Sequence, residues 1–453
     1  MPKKVFLQSL GCPKNLVDSE IMLGSLVQKG YELTQDESQA ELIVVNTCGF
    51  LQASSQESVD TLLRLAEQKK TGNCKKLIAT GCLSERYQGA GGISQELPEV
   101  DLFVGTNDYA KIADLAAPVG AYGNTPLPNR EYIHPPLYIH NENTPRLRAT
   151  PKHWAYVKIS EGCNHTCTFC IIPQLRGKQR SRSIESIIAE MQNLHAEGVR
   201  EFNLIAQDST DYGGDLHNGT TIEKLLAAIS EKLPSGIWCR LMYAYPLRFS
   251  DELVDRLADS DHFARYLDIP FQHISDSVLK SMRRGSNGNY IRDIITRLHK
   301  KIPGMGIRTT LIAGYPGETE DDFQKLYDFV GEATLTRVGV FAFSNEPGTP
   351  ANDLPDQVPT EVRQARRDRI MELQQGISLK RNLSLVGKTI PVLVEQVGVQ
   401  NFEPLHWGRS EWDAPEIDGK IHIKGPNLTI GQFHPIKITK ALPYDLEGAL
   451  QLR

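Results

Sequence analysis

The chain has 453 residues, which is too long for one ordinary hydrophobic core, so its length predicts two or three domains. It is 40% hydrophobic and 23% charged, as in soluble globular proteins, and it has no apolar run long enough for a transmembrane span. Its net charge of −5 argues against a protein that coats nucleic acid by overall charge.

The N-terminal segment MPKKVFLQSLGC ends in a cysteine, as a lipoprotein signal does, but its apolar core is too short for an export signal. Without such a signal, the eight cysteines indicate a reducing compartment, where clustered cysteines serve metals or catalysis rather than disulfides. We therefore expect a cytoplasmic protein.

The first third of the chain alternates strand-like and helical patterns. Strands are predicted at residues 5–10, 42–47, 76–80 and 102–104, and helices at residues 16–28, 54–69 and 109–116. This order predicts a small parallel α/β domain.

Three cysteines of this domain occupy equivalent places. Cys12, Cys48 and Cys82 each follow a predicted strand, and each stands beside a glycine. Loops at the carboxyl ends of parallel strands gather on one edge of a sheet, so we expect these thiols to converge on one ligand, favouring an iron–sulfur cluster. The alternative is three buried, inert thiols. That alternative is preferred for Cys74, in a polar turn, and for Cys239, in a predicted strand.

Residues 118–151 are rich in proline, asparagine and glycine, which predicts an interdomain connection. His134 and His140 lie in it and are predicted to be surface loop residues rather than ligands.

The central part of the chain repeats a β/α pattern. Strands are predicted at residues 154–159, 202–206, 237–243, 266–269, 309–313 and 338–343, and helices at residues 184–197, 222–232, 251–258, 289–300 and 320–330. Six such units predict an open, partial barrel with its active site at the carboxyl ends of the strands.

A CxxxCxxC motif, Cys163, Cys167 and Cys170, follows the first of these strands. Three closely spaced thiolates suit three corners of a cubane [4Fe-4S] cluster and leave the fourth iron without a protein ligand. A zinc site would need a fourth ligand; His165 is available, but its place inside the loop is awkward for a tetrahedral ion. Three clustered cysteines cannot all pair as disulfides.

This motif, with Ile171-Ile172-Pro173 after it, resembles the radical S-adenosylmethionine (SAM) enzymes. The resemblance implies that SAM chelates the open iron through its amino and carboxylate groups. It also implies that an electron from the cluster cleaves SAM to a 5′-deoxyadenosyl radical.

Segments at other strand ends are candidates for holding SAM. Gln207 and Asp208 follow the second strand; Asp208 suits ribose hydroxyls, and a turn-forming aspartate is the equal alternative. Gly314 and Gly317 follow the fifth strand, where they admit part of SAM or simply turn the chain into a helix.

Two arginines of the same region, Arg248 and Arg308, have a charge that suits the SAM carboxylate, and solvation is the simpler interpretation for both.

The last quarter begins with a helical pattern at residues 361–383 that carries Arg363, Arg366, Arg367 and Arg369 and is interpreted as a solvated connecting helix. Strands predicted at residues 390–395, 421–424 and 436–439 indicate a small five-stranded barrel of the oligonucleotide-binding kind.

This barrel lacks the positive charge of an RNA-binding module. Residues 383–453 hold 7 Lys+Arg and 8 Asp+Glu, a net of −1, with an acidic segment at Glu411, Asp413, Glu416 and Asp418. The barrel is therefore predicted to recognise something other than a phosphate backbone, such as a basic protein, or only to pack against the core.

Together, these features resemble the methylthiotransferase family of radical SAM enzymes. The resemblance implies an N-terminal domain at residues 3–118, a linker at 119–148, a radical SAM core at 149–382 and a TRAM domain at 383–449. It implies an auxiliary [4Fe-4S] cluster on Cys12, Cys48 and Cys82, and a radical-generating one on Cys163, Cys167 and Cys170.

Two substrate classes compete within that family: an adenosine beside the tRNA anticodon, and an aspartate of the small-subunit ribosomal protein uS12. The segments GCPKNLVDSE (residues 11–20) and YLDIPFQH (residues 266–273) resemble the second class, and the non-basic terminal barrel agrees. The implied product is 3-methylthioaspartate. One SAM supplies the methyl group and another the radical, with an external electron donor and a sulfur source as partners and neither membrane nor tRNA.

Other functions stay open on the residues alone. They are tRNA adenosine methylthiotransfer, a non-enzymatic iron–sulfur scaffold or electron carrier, and a zinc-stabilised RNA-binding protein.

Overall fold

The structure, a computed structural model, describes residues 2–116, 130–400, 403–426 and 428–451. The predicted boundary between residues 118 and 119 lies outside the described residues. Among those described, no helix is both long and apolar enough to cross a lipid bilayer.

The N-terminal domain is a parallel α/β layer. Its strands are β1 (Lys4–Ser9), β2 (Glu32–Leu33), β3 (Leu42–Thr47), β4 (Lys76–Gly81), β5 (Leu102–Val104) and β6 (Glu131–Tyr132). They form one sheet in the order β2-β1-β3-β4-β5-β6, and every neighbouring pair is parallel. The central strand β3 is buried along its whole length, which accounts for its continuous apolar run.

Helices cover both faces of this sheet. They are α1 (Pro13–Gln28), α2 (Gln52–Ala66), α3 (Gln68–Thr71), α4 (Cys82–Arg86), α5 (Ile93–Glu96) and α6 (Ile112–Leu115). Pro13 occupies the first turn of α1, where its missing N–H costs nothing. The helix therefore begins immediately after Cys12.

The central domain is a second parallel sheet, open at both edges. Its strands are β7 (Trp154–Lys158), β10 (Glu201–Ile205), β11 (Trp238–Leu241), β12 (Phe263–Asp268), β13 (Gly306–Ala313) and β14 (Arg337–Ala342), in the order β14-β13-β12-β11-β10-β7. A short antiparallel pair, β8 (Ser160–Glu161) and β9 (Arg180–Ser181), flanks the cysteine loop.

The helices of the central domain, except α7, contribute apolar residues to the core on the outside of this sheet, whereas α7 packs against Cys82 of the N-terminal domain. They are α7 (Ile172–Arg176), α8 (Ile184–Ala196), α9 (Ile222–Lys232), α10 (Asp251–Ala258), α11 (Asp276–Ser281), α12 (Gly288–Lys301) and α13 (Glu320–Glu332). Five of these helices are capped at the start by a side-chain oxygen that accepts a hydrogen bond from a backbone N–H of the first turn. The capping residues are Ser183, Thr221, Ser250, Asn287 and Thr319.

A long helix, α14 (Thr360–Leu383), leads to the C-terminal domain. That domain is a closed barrel of β15 (Thr389–Gln400), β16 (Glu403–Arg409), β17 (Ile421–Lys424), β18 (Phe433–Ala441) and β19 (Leu446–Leu450). Its pairs are antiparallel except β17 with β19. The predicted fold class is confirmed: a parallel α/β domain, a partial six-stranded β/α barrel and a small β-barrel.

The acidic segment of the C-terminal barrel packs against the inner face of the central sheet, although Glu416 stays exposed. Arg337 donates to Asp413 at 2.6 Å, and the hydroxyl of Tyr266 donates to Asp418 at 2.7 Å. The hydroxyl of Tyr156 donates to Glu416 at 2.9 Å. Of the two interpretations of this segment, packing against the core is the one that its contacts support.

Two expectations about polar residues were wrong. Helix α14 is not solvated all round, because Arg363 and Arg366 are buried; Arg366 pairs with Glu318 at 2.8 Å. His140 is not a surface residue, because the linker passes between the domains there, and its Nε2 lies 3.2 Å from Arg182 Nη1. Long polar side chains fill a groove between elements as readily as they face water.

Candidate metal centres

Three cysteines of the N-terminal domain meet at the carboxyl edge of its sheet. Cys12 follows β1, Cys48 follows β3, and Cys82 begins α4 directly after β4. After burial, the proximity of Cys12 and Cys48 also raises the pKa of the Cys82 thiol, so the three side chains form one group. Cys12 is exposed, Cys48 is partly buried and Cys82 is buried, which leaves the group open on one side.

The loops that carry these cysteines touch through their main chains. A Cβ added at Gly11 would lie 3.0 Å from Cβ of Cys48, and one added at Gly49 would lie 2.7 Å from the carbonyl oxygen of Cys82. Gly11 also has a φ of +89°, a conformation that other residues adopt at a cost. The glycines beside the cysteines therefore allow a contact that side chains would block.

Burial raises the pKa of the Cys82 thiol to about 12, although the neighbouring Arg176 guanidinium favours the thiolate. The Nη2 of Arg176 lies 3.4 Å from the Cys82 sulfur. In the metal-free chain this thiol keeps its proton near neutral pH, and a metal that binds there displaces it.

The second group, Cys163, Cys167 and Cys170, lies in the loop between β8 and α7. All three line one cavity of about 880 Å³. Burial raises the pKa of Cys163 to about 11 and that of Cys170 to about 12. Arg284 donates through Nη1 to the Cys167 sulfur at 3.4 Å.

The cavity has the size and the lining of a site for a polar cofactor. Its volume lies within the usual range for small-molecule sites, about 300–1,000 Å³. Two buried oxygens of lining residues, Oε1 of Gln179 and Oδ1 of Asp215, have no hydrogen-bond partner among the described residues. Three thiols beside unsatisfied polar groups fit a [4Fe-4S] cluster with SAM next to it.

A zinc site with His165 does not fit this geometry. Nε2 of His165 lies 2.6 Å from the Asp208 carboxylate, and its ring stacks on Tyr245 at 3.7 Å between centroids. Within the described residues, no three His, Cys, Asp or Glu side chains are arranged to hold a single metal ion. Cubane thiolates bind different irons and need not point at one ion.

The residues predicted to hold SAM after the second strand lie beside the cysteine loop, where Gln207 is half-buried and Asp208 is buried. Gln207 Nε2 donates to the Glu161 carboxylate, while its Oε1 has no partner in the described part of the chain. Asp208 orients His165, which lines the cavity. Burial opposes ionisation of Asp208, but its hydrogen bonds with His165 and Thr210 lower its pKa.

The two predicted glycines lie after β13. The N–H of Gly314 donates to Glu318 at 2.9 Å, and that of Gly317 donates to the carbonyl of Asp356 at 2.9 Å. A Cβ at Gly314 would overlap Arg363, whereas one at Gly317 would meet open space. Neither glycine lines the cavity, and their contact with SAM stays a prediction.

The two candidate arginines differ. Arg248 lines the cavity and pairs with Asp211 in its wall. Arg308 instead pairs with Asp268 at 2.8 Å, away from the cavity. Gln179 and Asp215 also line the cavity, and sequence reasoning missed them because no motif marks them; their loops reach the site only through the fold.

A buried ionic network connects the two cysteine groups. Arg176 donates to Asp18 of α1 at 2.7 Å, and Lys158 donates to Glu161 at 2.6 Å. Burial would raise the pKa of Glu161, but Lys158 and Arg176 hold it below its ordinary value. The N-terminal helix that follows Cys12 is thereby fixed to the strand end that precedes Cys163.

Lys14 projects from the same helix toward the central sheet. It is only 6% exposed, and its ammonium lies 2.8 Å from the ring centroid of Tyr243, just beyond β11. Burial lowers its pKa to about 8. The ammonium group of Lys14, two residues after Cys12, therefore lies at the strand ends of the central domain.

Three family models match separate parts of the chain. They are described as the uncharacterized protein family UPF0004 (residues 4–105), the radical SAM superfamily (residues 157–330) and the TRAM domain (residues 386–450). Each match covers most strands of one of the three sheets described above, and β6 and β14 lie outside the matched ranges.

Curated relatives match over almost the whole chain. Ribosomal protein uS12 methylthiotransferase RimO of Myxococcus xanthus is 47% identical and covers 98% of this chain and 91% of its own. The protein of the same name from Pelobacter propionicus is 46% identical over 100% and 98%, respectively. A solved radical SAM methyltransferase, TsrM from Kitasatospora setae with cobalamin and a [4Fe-4S] cluster bound, has a TM-score of 0.57 at 14% identity. It covers 88% of this chain and 81% of its own, a likeness of fold.

Proposed function

The chain belongs to the family of ribosomal protein uS12 methylthiotransferases, and on that premise we propose that it inserts a methylthio group at the β-carbon of an aspartate in uS12. It is a radical SAM enzyme that uses an iron–sulfur cluster and SAM. The proposed product is 3-methylthioaspartate, and the proposed cofactors are two [4Fe-4S] clusters.

One observation carries this proposal: two separate groups of three cysteines, one in each of two adjoining domains, are connected by Arg176. Cys12, Cys48 and Cys82 would hold the auxiliary cluster, and Cys163, Cys167 and Cys170 the radical-generating one. Each group lies at the carboxyl end of a parallel sheet. Arg176 bridges them, because it belongs to the helix that follows one group, α7, and contacts a sulfur of the other.

The chemistry explains why two centres are needed. The β-carbon of an aspartate carries neither an acidic proton nor a nucleophilic electron pair, so polar chemistry cannot place sulfur there. When bound, the clusters supply the electron that cleaves SAM and a place for the sulfur that is transferred.

The chain's own residues position these groups. Asp208 and Tyr245 fix the ring of His165 inside the CxxxCxxC loop. Arg284 donates to Cys167, and the ion pair of Arg176 with Asp18 holds the two domains together. Such outer contacts orient metal ligands and set the spacing of a site.

For SAM itself, we propose contacts from Gln207, Asp208, Gly314 and Gly317. The unpaired Oε1 of Gln207 and the lowered pKa of Asp208 support the first two. The glycines rest on their place after β13 alone.

The proposed partners are uS12 as substrate, an external electron donor and a sulfur source, with the reaction in the cytoplasm where ribosomes are assembled. The C-terminal barrel, of net charge −1, supports a protein rather than tRNA as substrate. The proposed domains are residues 3–118, 149–382 and 383–449, with a linker at 119–148.

The decisive experiment offers the reconstituted enzyme uS12 and an anticodon stem-loop RNA together. We expect a methylthio mass increase on one aspartate of uS12, none on the RNA, and release of 5′-deoxyadenosine. Cys167→Ala should abolish both the mass increase on uS12 and the release of 5′-deoxyadenosine, while Cys239→Ala, which removes a buried thiol of β11, should keep them. Modification of the RNA, or activity in Cys167→Ala, would defeat the proposal.

A further inference from the structure

Arg176 occupies a special place among the charged residues between the two cysteine groups. It ends α7, the short helix that begins two residues after Cys170, and it is only 2% exposed. Its Nη1 donates to Asp18 at 2.7 Å and lies 3.5 Å from the Glu161 carboxylate. Its Nη2 lies 3.4 Å from the Cys82 sulfur and also contacts Oδ1 of Asn15.

Each cysteine group receives one guanidinium. Arg284 donates to the Cys167 sulfur from within the same domain. Arg176 instead reaches across the boundary, from the domain of Cys170 to the sulfur of Cys82 in the other domain. Among the described side chains, it alone makes a hydrogen bond to a cysteine of the opposite domain.

We propose that Arg176 is a positioning residue of the auxiliary site: its guanidinium donates to the Cys82 sulfur and makes a cluster held there easier to reduce. The inference rests on the proposed two-cluster function. A cation and an N–H donor at a sulfur stabilise negative charge, and the reduced cluster carries one more electron than the oxidised one. The same contact ties the auxiliary site to the helix that follows the radical-site cysteines.

The guanidinium suits this task better than an ammonium does. It is planar, permanently charged and able to serve two acceptors on different edges at once. Here one edge serves the carboxylate of Asp18, while Nη2 serves Cys82 and Asn15. A lysine keeps the charge but cannot span both sets of partners.

The test uses the full chain with the radical site removed. In a background of Cys163→Ala, Cys167→Ala and Cys170→Ala, anaerobic reconstitution leaves only the auxiliary cluster. Dithionite with mediator dyes supplies one electron per cluster, and electron paramagnetic resonance follows the reduced form. We expect Arg176→Met to shift the midpoint potential to more negative values and Arg176→Lys to give an intermediate shift.

Arg146 is the matched control. It is also a buried arginine between the domains, paired with Glu20 at 2.6 Å and Glu190 at 2.5 Å, and within the described part of the chain it makes no hydrogen bond to a cysteine. Arg146→Met should loosen the same boundary without moving the potential.

Two outcomes would overturn this inference and leave the two-cluster function intact. One is a midpoint potential in Arg176→Met equal to that of the background, and the other is a shift in Arg146→Met as large as that in Arg176→Met. Where Arg176→Met fails to fold, an unshifted midpoint in Arg176→Lys overturns it instead. A background chain that retains no iron would overturn the two-cluster function, and this inference with it.

Discussion

Gly11 is the residue of the auxiliary site at which the geometry least tolerates a substitution. Its backbone is left-handed, and a Cβ added to it would lie only 3.0 Å from Cβ of Cys48, so a side chain does not fit without a shift of its neighbours. Gly30, at the other end of α1, has a similar φ of +85° but no neighbour within 4 Å. The two glycines therefore separate the cost of backbone strain from the cost of steric overlap.

We predict that Gly11→Ala loses the auxiliary iron, about half of the total, whereas Gly30→Ala keeps it. Both variants have a similar strain of about 1–2 kcal/mol in the left-handed region, so both melting temperatures should fall, and that of Gly11→Ala should fall further because its methyl group also crowds Cys48. Iron and sulfide per chain, measured after anaerobic reconstitution, provide the readout. Equal iron contents in the two variants would contradict the assignment of Cys48 to the auxiliary site.

His140 provides a pH-dependent prediction. Burial lowers its pKa well below the ordinary 6.5, and the nearby charges of Arg182, Lys158 and Arg146 lower it further. The unfolded chain binds a proton there below pH 6.5 and the folded chain does not, so the free energy of unfolding decreases as the pH falls below 6.5.

The variant His140→Gln still offers an acceptor to Arg182 but does not titrate. At pH 8 its free energy of unfolding should lie within about 1 kcal/mol of the wild-type value. As the pH falls from 7 to 5, the variant should become the more stable protein. Urea denaturation of the metal-free chains at each pH tests this, and parallel curves would show that His140 is not a buried neutral group.

Sequence motifs predicted the residues that act as metal ligands. They missed the residues whose only common property is that the fold brings them to the same cavity. The six cysteines stood out by spacing and by adjacent glycines. Gln179 and Asp215 did not, because their role depends on which loops the fold brings to the cavity. The burial of His140 and Arg366 was invisible for the same reason: each faces an element distant in sequence.

Among the elements, the docking of the C-terminal barrel on the central sheet is the most consequential. Glu201 of β10 is fully buried between two arginines, Arg240 of β11 at 2.7 Å and Arg409 of β16 at 2.9 Å. Arg240 also donates to the carbonyl of Ser410 at 3.0 Å. Charge complementarity, rather than an apolar contact alone, joins the two domains there.

We predict that Glu201→Gln destabilises the chain by about 3–5 kcal/mol, because it leaves buried guanidinium groups without their shared carboxylate. The C-terminal barrel should also become susceptible to limited proteolysis after α14. Glu447→Gln, which breaks an exposed pair with Lys440, should change stability by at most about 1 kcal/mol. Similar losses in both variants would show that the Glu201 cluster does not secure the barrel.

Periodicity predicted the long elements well and the short ones poorly. The helix predicted at residues 222–232 matches α9, and the strand predicted at residues 42–47 matches β3. The edge strands β2 and β6 have two residues each, too few for any alternation to be seen. Their strand character comes from pairing with a neighbour, which is a tertiary effect.

On the scale of the whole molecule, the proposal requires two independent cofactor sites in one chain. The wild-type protein should hold about eight irons after anaerobic reconstitution, and either triple cysteine-to-alanine variant about four. Cys74→Ala, which removes a buried thiol of the N-terminal domain, serves as control and should keep about eight. A wild-type content of about four irons would leave the auxiliary site without a cluster.

The order of domains was predictable from the chain, whereas their mutual contacts were not. Alternating β/α patterns and a final β-rich region indicated three units. The acidic segment is an example. Its charges predicted either an external partner or packing against the core, and its hydrogen bonds with Arg337 and Tyr266, which support packing, depend on contacts that the pattern does not show.

The pairing of Glu201 with Arg409 also has a consequence for biosynthesis. The two residues are 208 positions apart. At a translation speed of about 5–20 residues per second, Arg409 leaves the ribosome roughly 10–40 s after Glu201 and Arg240. During that interval the inner face of the nascent central sheet is uncovered around these two charged residues. The central domain therefore completes its folding only after the last domain has emerged.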